Sequence, residues 1–530
     1  MRKIFFLSAL VISAMSMAQS SMVNWYDLVT PLNSIAQGST AYEDVQVGSD
    51  GSVFLCGNIG SVGMDPHAVV MGDTISTVAF KEYMAQTNSA PFFVKLNSGG
   101  DVDWTVVCND GRFTSYTTLA LSDGGMLVAA TAYQSQASVM SFVSHYTPSK
   151  VSKYDQSKEQ YGVLLKIASD GTPSILNKFE QAADGQTAGI AFYDIVTDGT
   201  DYYILASISG AIKVLGQNVT FSQASVGSGL AIMKFNAAGE YQGLVQTDGV
   251  AVTSKTAKLV YANSKLYLIS TFKGTTSNNL VLGAKSVAVP NALNNIAIFE
   301  ANTDLTCSEI YIIAGEQVGT KNNITTYDVE SMNDALYISG FFTGTITTAD
   351  NSLSNSGTNA AFIAKFDLST KTATKGLMLK DGTGISSFHV DGLMQNGDSL
   401  YAYYYDWGAT GDRVFLQALD ADLQKGSKIG LISTTTQCGT RGAAIQGDNL
   451  IYCYYAPKGL SKLSADNSIT FNPTAFRGLV VSQKIFDDGG ATPVNEVRED
   501  AKSVNKRLNQ GNVYVLRNGA VFTAAGQRVE

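Results

Sequence analysis

Phe92-Phe93-Val94-Lys95-Leu96-Asn97-Ser98-Gly99 decides the fold, because its pattern returns down the chain. An apolar strand, a lysine and a turn recur as Val163-Leu164-Leu165-Lys166-Ile167, Ala231-Ile232-Met233-Lys234-Phe235, Phe362-Ile363-Ala364-Lys365-Phe366 and Ser482-Gln483-Lys484-Ile485-Phe486. The lysines fall at intervals near 70 residues or multiples of them. Repeats of this kind cannot bury their own apolar faces and must stack on neighbours.

Each such strand follows another that is rich in aromatic and β-branched residues: Val53-Phe54-Leu55-Cys56, Met126-Leu127-Val128-Ala129, Tyr202-Tyr203-Ile204-Leu205 and Leu266-Tyr267-Leu268-Ile269. Three further copies begin at Leu336, Leu400 and Leu450. Hairpin turns lead into them, among them Asp50-Gly51, Asp123-Gly124, Asn263-Ser264 and Asn333-Asp334. A fourth strand, such as Asp103-Trp104-Thr105-Val106-Val107, closes most copies. The expected fold is all-β, a propeller of about seven four-stranded blades. Ile298 is read at the lysine position of the fourth copy and Ala418 at that of the sixth, so the lysine is expected to be a solvated strand position. The seventh copy stops after its third strand near Asp487-Asp488-Gly489. Val23-Asn24-Trp25-Tyr26-Asp27-Leu28 matches the fourth-strand pattern around Trp104, so the N-terminal strand is expected to complete the last blade.

The 530 residues carry a formal net charge of −9 and a sequence pI near 5.0, which exclude a basic nucleic-acid-binding face. Arg2 and Lys3, the apolar run Ile4 to Met15, and Ser16-Met17-Ala18 read as a signal peptide over 1–18, cleaved before Gln19. No later stretch offers about 20 uninterrupted apolar residues, so no transmembrane helix is expected. The propeller is placed at 19–490, a linker at 491–510 and a small β unit at 511–530. Cys56, Cys108, Cys307, Cys438 and Cys453 are too sparse for a disulfide scaffold and lack zinc-site spacing. They are expected as free thiols.

That β unit, with Tyr514-Val515, the Asn518-Gly519 turn and Gly526-Gln527-Arg528-Val529, resembles the C-terminal sorting domains of the Bacteroidota type IX secretion system. The resemblance covers about twenty residues. It implies export, recognition by the secretion machinery, removal of the tail, and release or attachment at the cell surface. The propeller itself resembles secreted bacterial β-propeller repeat proteins, a grouping with no single activity.

Chemistry is sparse. His67, His145 and His389 are dispersed, and neither a His-Glu-x-x-His nor a Gly-x-Ser-x-Gly motif is present. Asp101 with Asp103, and Asp420 with Asp422, lack the oxygen spacing of a calcium loop and sit where turns are expected. Sialidase-type Ser-x-Asp-x-Gly-x-x-Trp boxes are missing. The tryptophan of the quinoprotein-like phrase around Trp104 does not repeat. No catalytic residue, metal ligand or cofactor is therefore assigned. Tyr403, Tyr405, Trp407, Tyr454 and Tyr455 form the candidate ligand surface, aromatic faces able to stack on a sugar or hold a peptide; the competing reading has them fill the wedge between two blades. The long segments Gly57 to Ala90 and Tyr133 to Gln160 are expected to carry recognition. The leading expectation is an exported, non-enzymatic binding protein for an extracellular glycan or protein. A polysaccharide hydrolase or lyase with acids at the channel, and a structural or adhesive surface component, stand as alternatives.

Overall fold

The computed structural model describes residues 23–523 apart from 29, 32–40, 62–66, 72, 77–87, 110, 135–138, 145–146, 148–150, 156–159, 182–188, 215–216, 221–228, 254–255, 276–278, 380–387, 407–408, 410, 436–438, 457–458, 466–468, 472, 474–476, 488–489, 494–505, 510–511 and 518–519. Seven four-stranded antiparallel blades are present. Their innermost strands are Ala41–Val47, Gly111–Ala120, Gly189–Thr197, Lys258–Ala262, Asn323–Met332, Phe388–Asn396 and Gly439–Gln446. Each packs against the next, and the seventh against the first, so the ring closes around a lumen.

Seven apolar clusters hold the ring together, one in each junction between neighbouring blades. Strand alternation explains how continuous apolar runs supply them. In blade 1, Val53 and Leu55 face blade 7, while Phe54 and Cys56 face blade 2. Both faces of a blade are core, so its middle strands need no polar alternation. The entry turns follow their residue chemistry: Asn263-Ser264 and Asn333-Asp334 have positive φ at both positions, as a two-residue type I′ turn requires.

Val23–Leu28 pairs antiparallel with Arg477–Lys484 and forms the outer strand of blade 7. Ring closure by the N-terminal strand is thus observed. The chain continues into Thr30–Pro31, which pairs with a hairpin of blade 1, His67–Val70 with Asp73–Ser76.

That contact belongs to a series. The segment between the second and third strands of a blade forms a hairpin that adds to the outer strand of the preceding blade. Val139–Ser144 of blade 2 adds to Val102–Asn109, Ala211–Val214 of blade 3 to Pro173–Gln181, Asn279–Leu282 of blade 4 to Tyr241–Asp248, and Ser461–Leu463 of blade 7 to Lys425–Thr434. In blade 5 an extension of the second strand takes up Gly315–Glu316. Each addition covers a strand edge that would otherwise present unpaired backbone groups. Among the described residues no such hairpin joins blades 5 and 6. There blade 5 covers its own outer strand: Ala349 and Asp350 donate backbone N–H groups to Ala373 and Thr374, and the Asn351 amide brackets Gly376.

The repeated lysine is an ion-pairing position rather than a solvated one. Lys95, with only 8% of its side chain exposed, lies 3.9 Å from Asp50 and 3.8 Å from Asp103. Lys166 pairs with Asp123 at 2.6 Å, Lys234 with Asp201 at 2.9 Å, Lys365 with Asp422 at 3.1 Å and Lys484 with Asp448 at 3.8 Å. Every partner is an acid on a hairpin turn or beside one. The register also moves the residue of two copies: Tyr267, the counterpart of Phe54 and Tyr203, faces Glu300 and not Ile298, and Ile451 in the seventh blade faces Ser482, so Lys484 lies two residues beyond the repeated position. Ala418 holds the sixth position as read.

Cys56, Cys108 and Cys453 are buried free thiols and Cys307 is a half-buried one, while Cys438 lies outside the described residues. Among the described residues no helix is long and apolar enough to cross a membrane. Chain packing separates a second unit from Asn495 onward. It holds a three-stranded antiparallel sheet of Lys506–Asn509, Asn512–Arg517 and Ala520–Thr523, whose first strand lies in the stretch read as linker. The signal segment, the Asn518-Gly519 turn and the Gly526-Gln527-Arg528-Val529 phrase lie outside the described residues.

Candidate functional site

The site is built by a defect repeated around the ring. Near the start of the innermost strand the register slips between Tyr42 and Asp44, between Phe192 and Asp194, between Thr326 and Asp328, between Val390 and Gly392, and between Thr440 and Ala443. A β-bulge puts an extra residue into one strand and re-aims its side chains. At or beside each bulge a charged residue lines the lumen: Glu43 and Asp44, Asp194, Asp328, Asp391 and Arg441.

The resulting cavity has a volume of about 830 Å³. Blade 1 contributes Glu43 and Asp44, and blade 3 Asp194. Blade 5 adds Asp328 and Glu330, and blade 6 Asp391. Against these six carboxyls stand two cations, Lys258 of blade 4 and Arg441 of blade 7. Blade 2 supplies Tyr116, Thr117 and Thr118. Lys258 Nζ lies 3.6 Å from Asp328, and Arg441 Nε lies 3.0 Å from Glu43. The Arg441 guanidinium also sits 5.4 Å from the Tyr455 ring centre. Gly442 makes room for this arrangement, since a Cβ there would fall 2.2 Å from Asp44 Oδ1.

Some of these groups are structural. Asp194 Oδ2 accepts the Leu259 N–H of blade 4 at 2.9 Å, and Asp328 Oδ2 accepts the Leu393 N–H of blade 6 at 2.7 Å. Gln46 does the same between blades 1 and 2, taking the Ala120 N–H at 2.6 Å and giving its amide to Thr118. Blades 1, 3 and 5 thus staple the innermost strand of the blade that follows.

The remaining groups are tuned by burial. Each opens only to the lumen and is otherwise enclosed by protein, so its charged form loses solvation. Burial pushes the Asp44 carboxyl up to about 6, with Lys258 opposing. Burial, then the neighbouring Asp328, raises Glu330 to about 7. Asp194 is raised by burial as well. Burial alone would lower Lys258, yet Asp328, Asp194 and Asp44 hold it above the ordinary lysine value.

This gives a pH dependence with a definite sign. Folded Glu330 binds its proton more tightly than the unfolded chain does, with an ordinary value of 4.5 against about 7. Its stabilising share is full below pH 4.5 and is lost as pH rises through 7. We expect the thermal midpoint of the propeller to fall between pH 5 and pH 8. Glu330→Gln should remove about 1–2 kcal/mol of that decline, a figure reduced for the carboxyl's contact with the lumen. A decline of the same size in the variant would show that Glu330 does not cause it.

Two polar atoms bordering the cavity have no protein partner. Thr440 Oγ1 belongs to a side chain only 2% exposed, and Asn58 Oδ1 is equally shut off from bulk solvent. Asn58 Nδ2 reaches the Tyr116 hydroxyl at 3.4 Å, which leaves the amide oxygen free to accept. Among the described residues no group of three or more His, Cys, Asp or Glu forms a metal site.

The aromatic candidates lie outside this cavity. Tyr403, Tyr405 and Tyr454 are buried in the cluster between blades 6 and 7, and the Tyr403 hydroxyl donates to the Cys453 carbonyl at 2.7 Å. Their rings fill the wedge and present no face to a ligand. Tyr455 is half-buried beneath Arg441, and Trp407 lies outside the described residues. The lumen acids were missed although a signal exists: Tyr42-Glu43-Asp44-Val45, Phe192-Tyr193-Asp194-Ile195 and Thr326-Tyr327-Asp328-Val329 repeat an acid before a β-branched residue at one place in alternate blades.

Fold and site define a seven-bladed β-propeller with a charged central cavity. No protein-family model matches the sequence, and no curated protein does either. Solved structures align with the chain at low similarity. The β-propeller domain of the Trilobed protease from Pyrococcus furiosus aligns over 86% of this chain and 97% of its own, at 9% identity and a TM-score of 0.40. A subtype N10 neuraminidase-like protein of A/little yellow-shouldered bat/Guatemala/060/2010 aligns over 70% and 92%, at 8% identity and 0.30. The GH43 protein BlXynB from Bacillus licheniformis aligns over 63% and 64%, at 13% identity and 0.27. Nothing about activity passes to this chain from likeness at that level.

Proposed function

We propose that the protein is an exported binding propeller whose ligand occupies the central cavity. The observation that carries this reading is the pair Thr440 Oγ1 and Asn58 Oδ1, buried beside the cavity without partners. A buried polar group without a hydrogen bond costs about 1–3 kcal/mol, and a polar ligand would recover that cost. The cavity has the size of a small-ligand site, and its wall carries charges of both signs. Export is supported by the N-terminal Arg2-Lys3 and apolar segment, and passage through a secretion machinery by the tail phrase ending at Val529. Display on the surface or release into the medium follows from that reading.

A hydrolase on extracellular polysaccharide is the second reading. It is favoured by Asp44 and Glu330, whose carboxyls titrate at about 6 and about 7 inside one cavity, where general acids and bases work. One screen separates the two. Glycans and peptides are tested for both binding and turnover, with wild-type chain and with Thr440→Val. We expect binding without turnover, weakened about fivefold in the variant by the loss of one hydrogen bond. Turnover that disappears in Glu330→Gln would overturn the binding reading in favour of the enzyme. A ligand bound equally by wild type and Thr440→Val would place the site elsewhere.

A further inference from the structure

The wall of the cavity divides into groups already used by the protein and groups left open. Glu43 is paired with Arg441 at 3.0 Å, and Asp328 with Lys258 at 3.6 Å. Asp194 accepts the N–H groups of Leu259 and Ile195, each at 2.9 Å. Asp44 takes the Val45 N–H at 2.9 Å and the Gln46 amide at 3.4 Å, and Glu330 takes the Ser331 N–H at 3.0 Å. Asp391 is engaged as well. The charged groups are thus answered inside the protein. What stays open is hydrogen-bonding capacity, at Thr440 Oγ1 and Asn58 Oδ1.

These two atoms stand on opposite flanks of neighbouring blades. Asn58 is on the blade 2 side of blade 1, where its Nδ2 meets the Tyr116 hydroxyl. Thr440 pairs with Tyr454, whose ring lies in the cluster between blades 6 and 7. Around the ring, the Arg441–Glu43 pair joins blade 7 to blade 1 between them. A ligand that uses both atoms must therefore carry polar groups at both ends of a frame. Tyr116 of blade 2 and Tyr193 of blade 3, both half-buried, add aromatic rings to the same wall. The Tyr193 hydroxyl shares a hydrogen bond with Ser207 Oγ at 3.2 Å, which holds its ring in place.

Resting on the reading of a ligand in the cavity, we propose that this ligand is an uncharged saccharide, held through its hydroxyls by Thr440 and Asn58. The Thr440 hydroxyl can donate one hydrogen bond and accept two, while the Asn58 oxygen only accepts. A sugar hydroxyl both donates and accepts, so one kind of group satisfies either atom. An ammonium only donates and a carboxylate only accepts, and each would bring a charge to a wall whose charges already have partners. Enclosing an unmatched charge costs far more than enclosing a polar group that finds its bonds. A peptide divides donor and acceptor between N–H and C=O, and so meets each atom in one orientation alone. The cyclic sugar frame also sets polar edges beside apolar C–H faces, which suits a wall of hydroxyls, amides and tyrosine rings.

The test is an array that displays uncharged glycans, their amino- and carboxylate-bearing counterparts and short peptides, probed with the full chain. Calorimetry of the retained glycans follows. Uncharged glycans should be retained over their charged counterparts, with an affinity that changes less than about twofold between about 50 and about 500 mM salt. Thr440→Val and Asn58→Leu should each weaken binding about fivefold, the worth of one hydrogen bond, and together about 25-fold because the two positions are separate. Circular dichroism verifies that the variants are folded. Preferred retention of a charged counterpart or a peptide, weakened by Thr440→Val, would overturn the uncharged saccharide and leave the cavity reading standing. A glycan bound as tightly by the double variant as by wild type would lie outside the cavity and remove both. Retention of neither glycan nor peptide would also remove both.

Discussion

Deleting residues 23–31 is expected to cost the propeller at least about 5 kcal/mol and to make it associate with itself. Three losses combine. Blade 7 loses its outer strand, exposing the backbone of Arg477–Lys484 as a free edge. The half-buried Val23, Trp25 and Leu28 leave the clusters on either side of that blade. The third loss reaches into blade 1. Asp27 Oδ2 accepts both the Tyr42 hydroxyl at 2.6 Å and the Met71 N–H at 2.9 Å, so the strand ties the last blade to the innermost strand of the first. Tyr42 is fully buried, and its hydroxyl would be left without this acceptor. Denaturant unfolding of the truncated and full chains measures the loss, and light scattering detects association. Asp27→Ala, which keeps the strand, should cost about 1–3 kcal/mol without association. An unchanged unfolding midpoint in the truncated chain would show that ring closure contributes nothing to stability.

The features legible in the sequence are those set by local chemistry. Asn263-Ser264 and Asn333-Asp334 read as hairpin turns because few other residues adopt positive φ at both positions. Trp25 and Trp104 reveal equivalent strands because the surrounding alternation is alike. What the sequence withheld depends on neighbours brought together by the ring. The run Tyr401 to Tyr405 looks like a sugar platform as a string, but in the ring it has a blade against each face and becomes core. The segment Gly57 to Ala90 looks like a recognition loop because nothing local marks Thr30–Pro31, some forty residues earlier, as its strand partner. The lumen acids hid for another reason. An aspartate in a half-polar strand is unremarkable until a bulge turns it inward, and a bulge is a property of the pairing of two strands.

Glu300→Lys is expected to destabilise the propeller by about 2–3 kcal/mol, although the substitution restores the residue found at that register in four other blades, Lys95, Lys166, Lys234 and Lys365. The reason is an exchange of charge between partners. In blade 5, Lys365 meets Asp422 on a turn of blade 6. In blade 4 the strand carries the acid and the turns carry the lysines: Glu300 lies 2.7 Å from Lys371 of blade 5 and 3.6 Å from Lys265 of its own blade. The carboxylate is 8% exposed and also takes the Ser308 hydroxyl at 2.8 Å. Burial would raise its pKa, but Lys371, Ser308 and Lys265 bring it below the ordinary value, so it is held ionised. Lys371 in turn rests between the Tyr267 and Tyr311 rings, 5.7 and 5.9 Å from their centres. A lysine at 300 would place three like charges in that space. Lys371→Glu alone should also destabilise, by setting two carboxylates against each other. The double variant, Glu300→Lys with Lys371→Glu, rebuilds the polarity of blade 5 and should recover at least half of the loss. Unfolding free energies for the two single variants and the double one form a complete cycle. Additive losses in the double variant would mean that the two side chains do not interact, and the reversed pair would then be a coincidence of sequence.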